Sequence, residues 1–233
     1  MTMDITKIAN VPDLEVTRTS TRVVRHNRLS ESGYELVLER NGLAFDAGRL
    51  ITLHGKDVTA DRSYTIASGE KDEHVHVLYR YVPTGVLTPQ LIRLQAGDTI
   101  DLSGPYGQFV LRDTQRPLWF IATGTGVAPC RAYIRTHPDL DLILIHGARK
   151  EEDLFYRAEV ERYAYHPCLT SESGDFFHGR VTDFLAPRAL PREAHYYLCG
   201  AYEMIYDVQA MLLDKGVDPS HIFVEGYYYR LET

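Results

Sequence analysis

Through the first 113 residues, apolar positions come in short alternating runs broken by turn residues. Tyr34-Glu35-Leu36-Val37-Leu38 alternates, and Leu50-Ile51-Thr52-Leu53 follows the turn Asp46-Ala47-Gly48. His74-Val75-His76-Val77-Leu78-Tyr79 follows a polar stretch, and Thr99-Ile100-Asp101-Leu102 leads into Gly104-Pro105-Tyr106-Gly107. Short strands with Gly and Pro punctuation predict an antiparallel barrel or sandwich. Near Arg116-Pro117 the pattern changes: apolar runs at 118–122, 142–146, 196–199 and 222–224 alternate with helical stretches. In one of these, Ile205, Val208 and Leu212 recur at the spacing of a helix face. Alternating strands and helices imply a parallel sheet covered on both faces. The expected organisation is therefore an antiparallel β-barrel over residues 1–112 and a Rossmann-like α/β domain over 113–233.

A length of 233 residues suits two compact domains. The net charge of −7 argues against non-specific nucleic-acid binding, which needs clustered cations to neutralise phosphates. One local exception is the basic stripe Arg18, Arg22, Arg25 and Arg28, with no acid among residues 17–28. Three cysteines, Cys130, Cys168 and Cys199, are too few and too scattered for a disulfide framework or a four-thiolate iron–sulfur cluster. The expected compartment is reducing. No apolar run reaches the roughly 18 residues of a membrane span, and the first residues do not read as a signal peptide, so a cytoplasmic location is expected.

Three segments carry candidate chemistry. Gly124-Thr125-Gly126-Val127-Ala128-Pro129 follows a strand, where glycines let backbone approach a phosphate and helix-start amides favour an anion; the alternative is a turn and nothing more. It ends in Pro where the dinucleotide fingerprint has a third Gly or Ala. Arg62-Ser63-Tyr64-Thr65 offers a guanidinium for a phosphate, a ring for stacking and a hydroxyl for a ring nitrogen, or is a plain edge strand. Cys199-Gly200 lies near the C-terminal end of an expected parallel strand, where open α/β sheets bind ligands, although a buried Cys is commonly a small apolar filler. His74 and His76 share one strand face without a third ligand near them in sequence, so no metal is expected. No nucleophile-elbow pattern supports a hydrolase.

In this order and spacing the motifs resemble the ferredoxin–NADP reductase superfamily, bacterial type, over nearly the whole chain. The resemblance is carried by Phe45-Asp46-Ala47-Gly48-Arg49-Leu50, Arg62-Ser63-Tyr64-Thr65 and Val82-Pro83-Thr84-Gly85-Val86-Leu87-Thr88. It continues through Gly104-Pro105-Tyr106-Gly107, the 122–129 turn, His146-Gly147-Ala148-Arg149, Tyr156-Arg157-Ala158-Glu159, Gly179-Arg180-Val181 and Cys199-Gly200. It implies an FAD-binding barrel followed by a nicotinamide-nucleotide domain. By this similarity Arg62 holds the flavin pyrophosphate with Ser63 beside it, Tyr64 stacks on the isoalloxazine, and Thr65 lies near its reactive nitrogen. Tyr79, Arg80 and Tyr81 contact the ribityl chain; Gly85, Val86, Leu87 and Thr88 contact the phosphates. Thr123, Gly124, Thr125 and Gly126 receive the nicotinamide nucleotide, with Cys199 and Gly200 at its reactive end and Glu225 handling protons. The implied activity passes electrons from NAD(P)H through FAD to a small acidic carrier, ferredoxin or flavodoxin. Because the cysteines cannot form a cluster, that carrier is expected to be a separate protein. Alternatives are an oxygenase-system or free-flavin reductase, or a flavin-binding electron-transfer subunit of a larger enzyme.

Three positions depart from the pattern. Thr65 replaces the common Ser and keeps the hydroxyl. Ser171 stands where NADP-dependent members carry an Arg that grips the 2′-phosphate. Arg149 and Arg180 remain at basic positions, so the expected coenzyme is NADPH, with NADH open. The tail after Glu225 extends the plant-type end, where Tyr227 matches the terminal aromatic; one tyrosine of Tyr227, Tyr228 and Tyr229 is expected to cover the flavin face opposite Tyr64, with the extension running toward the FAD adenine. The arginines of 17–28 are candidates for docking the acidic carrier.

Overall fold

A computed structural model describes residues 17–56, 60–113, 115–172 and 175–227, with Tyr227 described by its backbone alone. Six strands form the first sheet: β1 (Thr19–Arg28), β2 (Gly33–Glu39), β3 (Leu50–His54), β4 (Arg62–Thr65), β5 (His74–Arg80) and β6 (Thr99–Tyr106). Their order is β4-β3-β6-β1-β2-β5, with every pairing antiparallel. A bridge between Ile66 and Val77 joins the two ends, so the sheet closes into a barrel and leaves few open edge groups. Strand alternation turns Val23, Leu36, Leu38, Ile51, Leu53, Val75 and Val77 into one interior. A short helix α1 (Thr88–Leu91) plugs one end with Leu91.

The second sheet contains β7 (Leu118–Thr123), β8 (Leu142–Ala148), β9 (Ala164–Leu169), β10 (Phe177–His178), β11 (His195–Ala201) and β12 (Ile222–Tyr227). All its pairings are parallel, in the order β10-β9-β8-β7-β11-β12. The central strands β7, β8 and β11 are buried on both faces, which explains their unbroken apolar runs. Helix α2 (Ala128–Thr136) covers one face. On the other lie α4 (Val181–Leu185) and α5 (Tyr202–Asp214), while the short α3 (Arg157–Val160) packs beside α2. In α5 the buried residues include Ile205, Val208 and Leu212, the face that their spacing predicts.

Arg22, Arg25 and Arg28 of the basic stripe fall on β1, a strand held between β6 and β2, and Arg18 directly precedes it. Arg18 pairs with Asp61 at 3.2 Å and Arg22 with Glu39 at 3.8 Å, while the Arg28 guanidinium donates to the carbonyls of Ser30 and Glu31. Two of the four arginines, Arg18 and Arg22, are therefore paired with acids within the chain, which lowers the positive field the stripe presents. Among the described residues no helix is long and apolar enough to cross a membrane.

Candidate active site

The chain crosses from β7 to β8 on one side and reaches β11 on the other, so the strand order reverses between β7 and β11. In open parallel sheets the crevice beyond such a reversal is where ligands bind. Here it holds a 3₁₀ turn, Gly124–Val127, that runs directly into α2, with Pro129 in the first helical turn, where a missing N–H costs nothing. A cleft of about 560 Å³ opens beside it. Thr123, Gly124 and Thr125 form its floor, Arg149 and Arg180 line one side, and Arg80 comes from the barrel, so both domains contribute walls.

The two glycines of the turn have different jobs. Gly124 has φ +52 and nothing within 4 Å of where a Cβ would sit. Gly126 would place a Cβ 2.2 Å from the Cys199 carbonyl oxygen. Gly200 in turn would drive a Cβ to 2.3 Å from the Thr123 hydroxyl, which accepts a 2.9 Å hydrogen bond from the Ala201 N–H. Gly126 and Gly200 thus allow β7 and β11 to meet at close range, and only Gly124 leaves backbone open toward the cleft.

Where the barrel meets the second sheet, Thr65 Oγ1 donates to Glu225 Oε2 at 2.5 Å, and Cys199 Sγ lies 4.0 Å from the same oxygen. β4 and β12 supply the two partners, 160 residues apart in sequence. Burial pushes the Glu225 carboxyl up to about 7, against the Thr65 hydrogen bond, which acts to lower it. Next to Thr65, Tyr64 is half-buried and meets Tyr79 edge-on, with ring centroids 6.4 Å apart. Arg62 and Ser63 face solvent; an Arg62 terminal nitrogen donates to the Asp61 carbonyl at 2.8 Å, and Ser63 hydrogen-bonds Thr52.

Residues 20–111 match the oxidoreductase FAD-binding domain and residues 120–210 the oxidoreductase NAD-binding domain. The chain belongs to the ferredoxin–NADP reductase family. It is 31% identical over 220 residues to the toluate 1,2-dioxygenase electron transfer component of Pseudomonas putida, covering 86% of this chain and 65% of that protein. A component of the Na⁺-translocating NADH-quinone reductase of Serratia proteamaculans is 29% identical over 63% of this chain and 41% of its own length. The chain thus spans between two fifths and two thirds of these relatives. Among solved structures, the cytochrome P450 reductase of Amycolatopsis superposes with a TM-score of 0.80 at 26% identity, over 91% of this chain and 70% of that one. The ferredoxin–NADP⁺ reductase of Neisseria gonorrhoeae, solved with FAD and NADP, superposes at 0.81 over 92% and 100%. At 19% identity that second likeness is one of fold.

On β4 the Arg62 guanidinium is exposed and the Tyr64 ring half-buried, chemistry that suits a flavin diphosphate and a stacked ring, whereas Thr65 is buried against Glu225. Not every expected residue offers its side chain there. Tyr79 is 1% exposed, with its hydroxyl 2.7 Å from His26 Nε2, because alternation along β5 turns it inward with Val75 and Val77. Its neighbour Arg80 consequently points outward, into the cleft, and Tyr81 lies half-buried beyond it. Leu87 is also sealed into the barrel, whereas Gly85 and Val86 lie in a loop that Thr88, the first residue of α1, closes by mutual hydrogen bonds with the Val82 backbone. Cys199, Gly200 and Gly126 are fully covered, so in this arrangement they shape the turn and reach the cleft only through it. Tyr227 ends β12 opposite Ala201; its side chain and residues 228–233 lie outside the described residues, and the flavin-covering role expected of the tail lies there with them.

Sequence reasoning missed several cleft residues: Asp153, Phe155, Thr170, Glu203 and Asp207. For the last two a signal existed. They lie four apart in α5, opposite the buried Ile205, Val208 and Leu212, so the helical period already put them on the outer face.

Proposed function

We propose that the protein oxidises NAD(P)H at the 560 Å³ cleft and passes the electrons one at a time, through FAD held on the barrel, to a ferredoxin-type or flavodoxin-type carrier serving an oxygenase. The observation that carries this reading is the junction itself: Thr65, on the strand fitted for a flavin, is hydrogen-bonded to Glu225 beside the nucleotide turn. A flavin on the barrel and a nucleotide at the turn would then be close enough to exchange electrons, and positioning is the protein's main contribution to such chemistry. Bound FAD supplies the conversion between two-electron and one-electron transfer. The chain's own residues do the rest: Tyr64 offers a stacking face, Arg62 a cation for the diphosphate, and Glu225 a carboxyl that exchanges its proton near neutrality. The oxygenase destination is supported by the 31% identity to the electron transfer component of a dioxygenase.

For the coenzyme, Arg149 and Arg180 give the cleft a cationic side that suits the phosphates of either form. Exposed Ser171, hydrogen-bonded through its N–H to the Arg149 carbonyl and followed by exposed Glu172, supplies no guanidinium for a 2′-phosphate. The proposed enzyme therefore takes NADH at least as well as NADPH, within the NAD(P)H use expected from the sequence but without its lean to NADPH, which weighs Arg149 and Arg180 above the missing guanidinium at Ser171. The test is anaerobic titration of the purified protein reconstituted with FAD. Bleaching of the yellow flavin band by either coenzyme is the expected result. A protein that takes up no FAD, or whose flavin NAD(P)H leaves oxidised, rules the reading out, and a tenfold advantage for NADPH in kcat/KM rules out the coenzyme assignment.

A further inference from the structure

The turn over residues 123–126 lines the cleft, but the groups that set its shape lie beneath it. His146, near the end of β8, has no solvent exposure. Its Nε2 is 3.0 Å from the Gly124 carbonyl oxygen, and its Nδ1 is 3.3 Å from the hydroxyl of Tyr165 on β9. A carbonyl can only accept, so Nε2 carries the proton; Nδ1 is then an acceptor and the Tyr165 hydroxyl donates to it. Burial holds the imidazole down at about 4, which keeps the ring neutral and this tautomer in place through the neutral range.

The consequence appears on the other side of the peptide. In a planar trans peptide the C=O and the following N–H point in opposite directions. With the Gly124 carbonyl drawn inward to His146, the Thr125 N–H is turned outward, on the side where Thr123, Gly124 and Thr125 line the cleft. Thr125 stands in the first turn of the 3₁₀ segment that runs into α2, where N–H groups have no partner within the helix. Gly124, at φ +52 and unobstructed, is the residue about which this peptide could rotate.

We propose that His146, backed by Tyr165, is a positioning residue that locks the Gly124–Thr125 peptide with its N–H aimed at the diphosphate of the nicotinamide nucleotide. This rests on the cleft being the NAD(P)H site. A histidine that merely filled the core would be replaceable by any side chain of similar volume. A positioning histidine is replaceable only by one that keeps a donor at Nε2, and glutamine does so.

The experiment measures ADP, a diphosphate probe without nicotinamide, by calorimetry on the FAD-loaded full chain, together with kcat and KM for NADH and NADPH. His146→Leu is expected to weaken ADP and raise KM for both coenzymes by about tenfold, the scale of one hydrogen bond to a charged group, with kcat within twofold and the flavin spectrum unchanged. His146→Gln should stay within threefold of wild type, and Tyr165→Phe should fall between. Equal loss in the Leu and Gln variants, or no loss in the Leu variant, overturns the proposal. If the Leu variant does not fold, an unaltered ADP affinity in Tyr165→Phe overturns it. Failure of the wild-type protein to bind ADP or to be reduced by NAD(P)H would instead overturn the reading of the cleft, whatever the variants do.

Discussion

Glu225 is an acid held in two environments at once. Burial favours its neutral form and the Thr65 hydroxyl favours the carboxylate, and burial wins, leaving the group at about 7 from an ordinary 4.5. The folded chain therefore retains a proton that the unfolded chain releases near pH 4.5. Its contribution to stability declines as pH rises from about 4.5 to about 7, by on the order of 3 kcal/mol, and is level above that. Glu225→Gln keeps an acceptor for Thr65 and removes the titration. The variant should match wild type in urea unfolding at pH 4 and exceed it at pH 8. In stopped-flow reduction of the FAD-loaded protein by NADH, the rate should bend near pH 7 in wild type and lose that bend in the variant. A bend that survives in Glu225→Gln would assign it to a different group.

Between the ends of β7 and β11, two glycines two residues apart in one motif should respond unequally to the same methyl group. Gly126→Ala would push a Cβ into the Cys199 carbonyl at 2.2 Å, and backbone on both sides leaves no flexible side chain to yield. A loss of about 3 kcal/mol is expected, at the upper end of ordinary overpacking. Gly124→Ala meets open space and bears only the left-handed conformation, about 1 kcal/mol, so it should fold and bind nucleotide less well. Thermal unfolding of the two variants checks this; equal losses would contradict it. The contrast also marks where the sequence stops being legible. Central strands β7, β8 and β11 announce themselves because burial on both faces demands unbroken apolar runs, and α5 does so through its period. β9 does not, because Pro167 interrupts it. The proline is tolerated since β10 pairs only with Cys168 and Leu169, which leaves the upstream half of β9 without a neighbour on that side. β1 reads as a basic surface because its outward arginines outnumber the inward Thr21 and Val23. The order of the cofactor motifs was visible; which glycine packs and which faces the cleft depends on Cys199, more than seventy residues away, and was not.

Across the whole molecule, the two domains are joined by a buried ionic network as well as by the Thr65–Glu225 contact. Glu35 of the barrel accepts from the Tyr156 hydroxyl at 2.9 Å, and it lies 3.0 Å from His76 Nδ1 and 3.4 Å from an Arg131 terminal nitrogen on α2. Arg131 stacks over the Tyr156 ring at 4.1 Å and pairs with Glu159 at 2.8 Å. Arg135, one turn on, bridges Glu159 to Asp72 of the barrel at 2.8 and 2.6 Å. Burial alone would raise Glu35; the His76 hydrogen bond and charge, then the Arg131 charge and the Tyr156 hydroxyl, overcome it and take the carboxyl down to about 2. Since the unfolded group titrates near 4.5, its carboxylate stabilises the fold above that pH, and the contribution is lost as pH falls toward 2. Glu35→Gln leaves the buried Arg131 guanidinium short of one counter-charge at the junction, a change that typically costs about 3 kcal/mol. Urea unfolding at pH 7, followed by the fluorescence of Trp119 in β7 and by release of FAD from the barrel, should show that loss through both signals, because the network spans both domains. At pH 3 wild type has already lost part of the contribution, so the gap between the two proteins should narrow. A variant with the wild-type midpoint at pH 7, or a gap that widens in acid, would show that the Glu35 carboxylate does not help to hold the domains together.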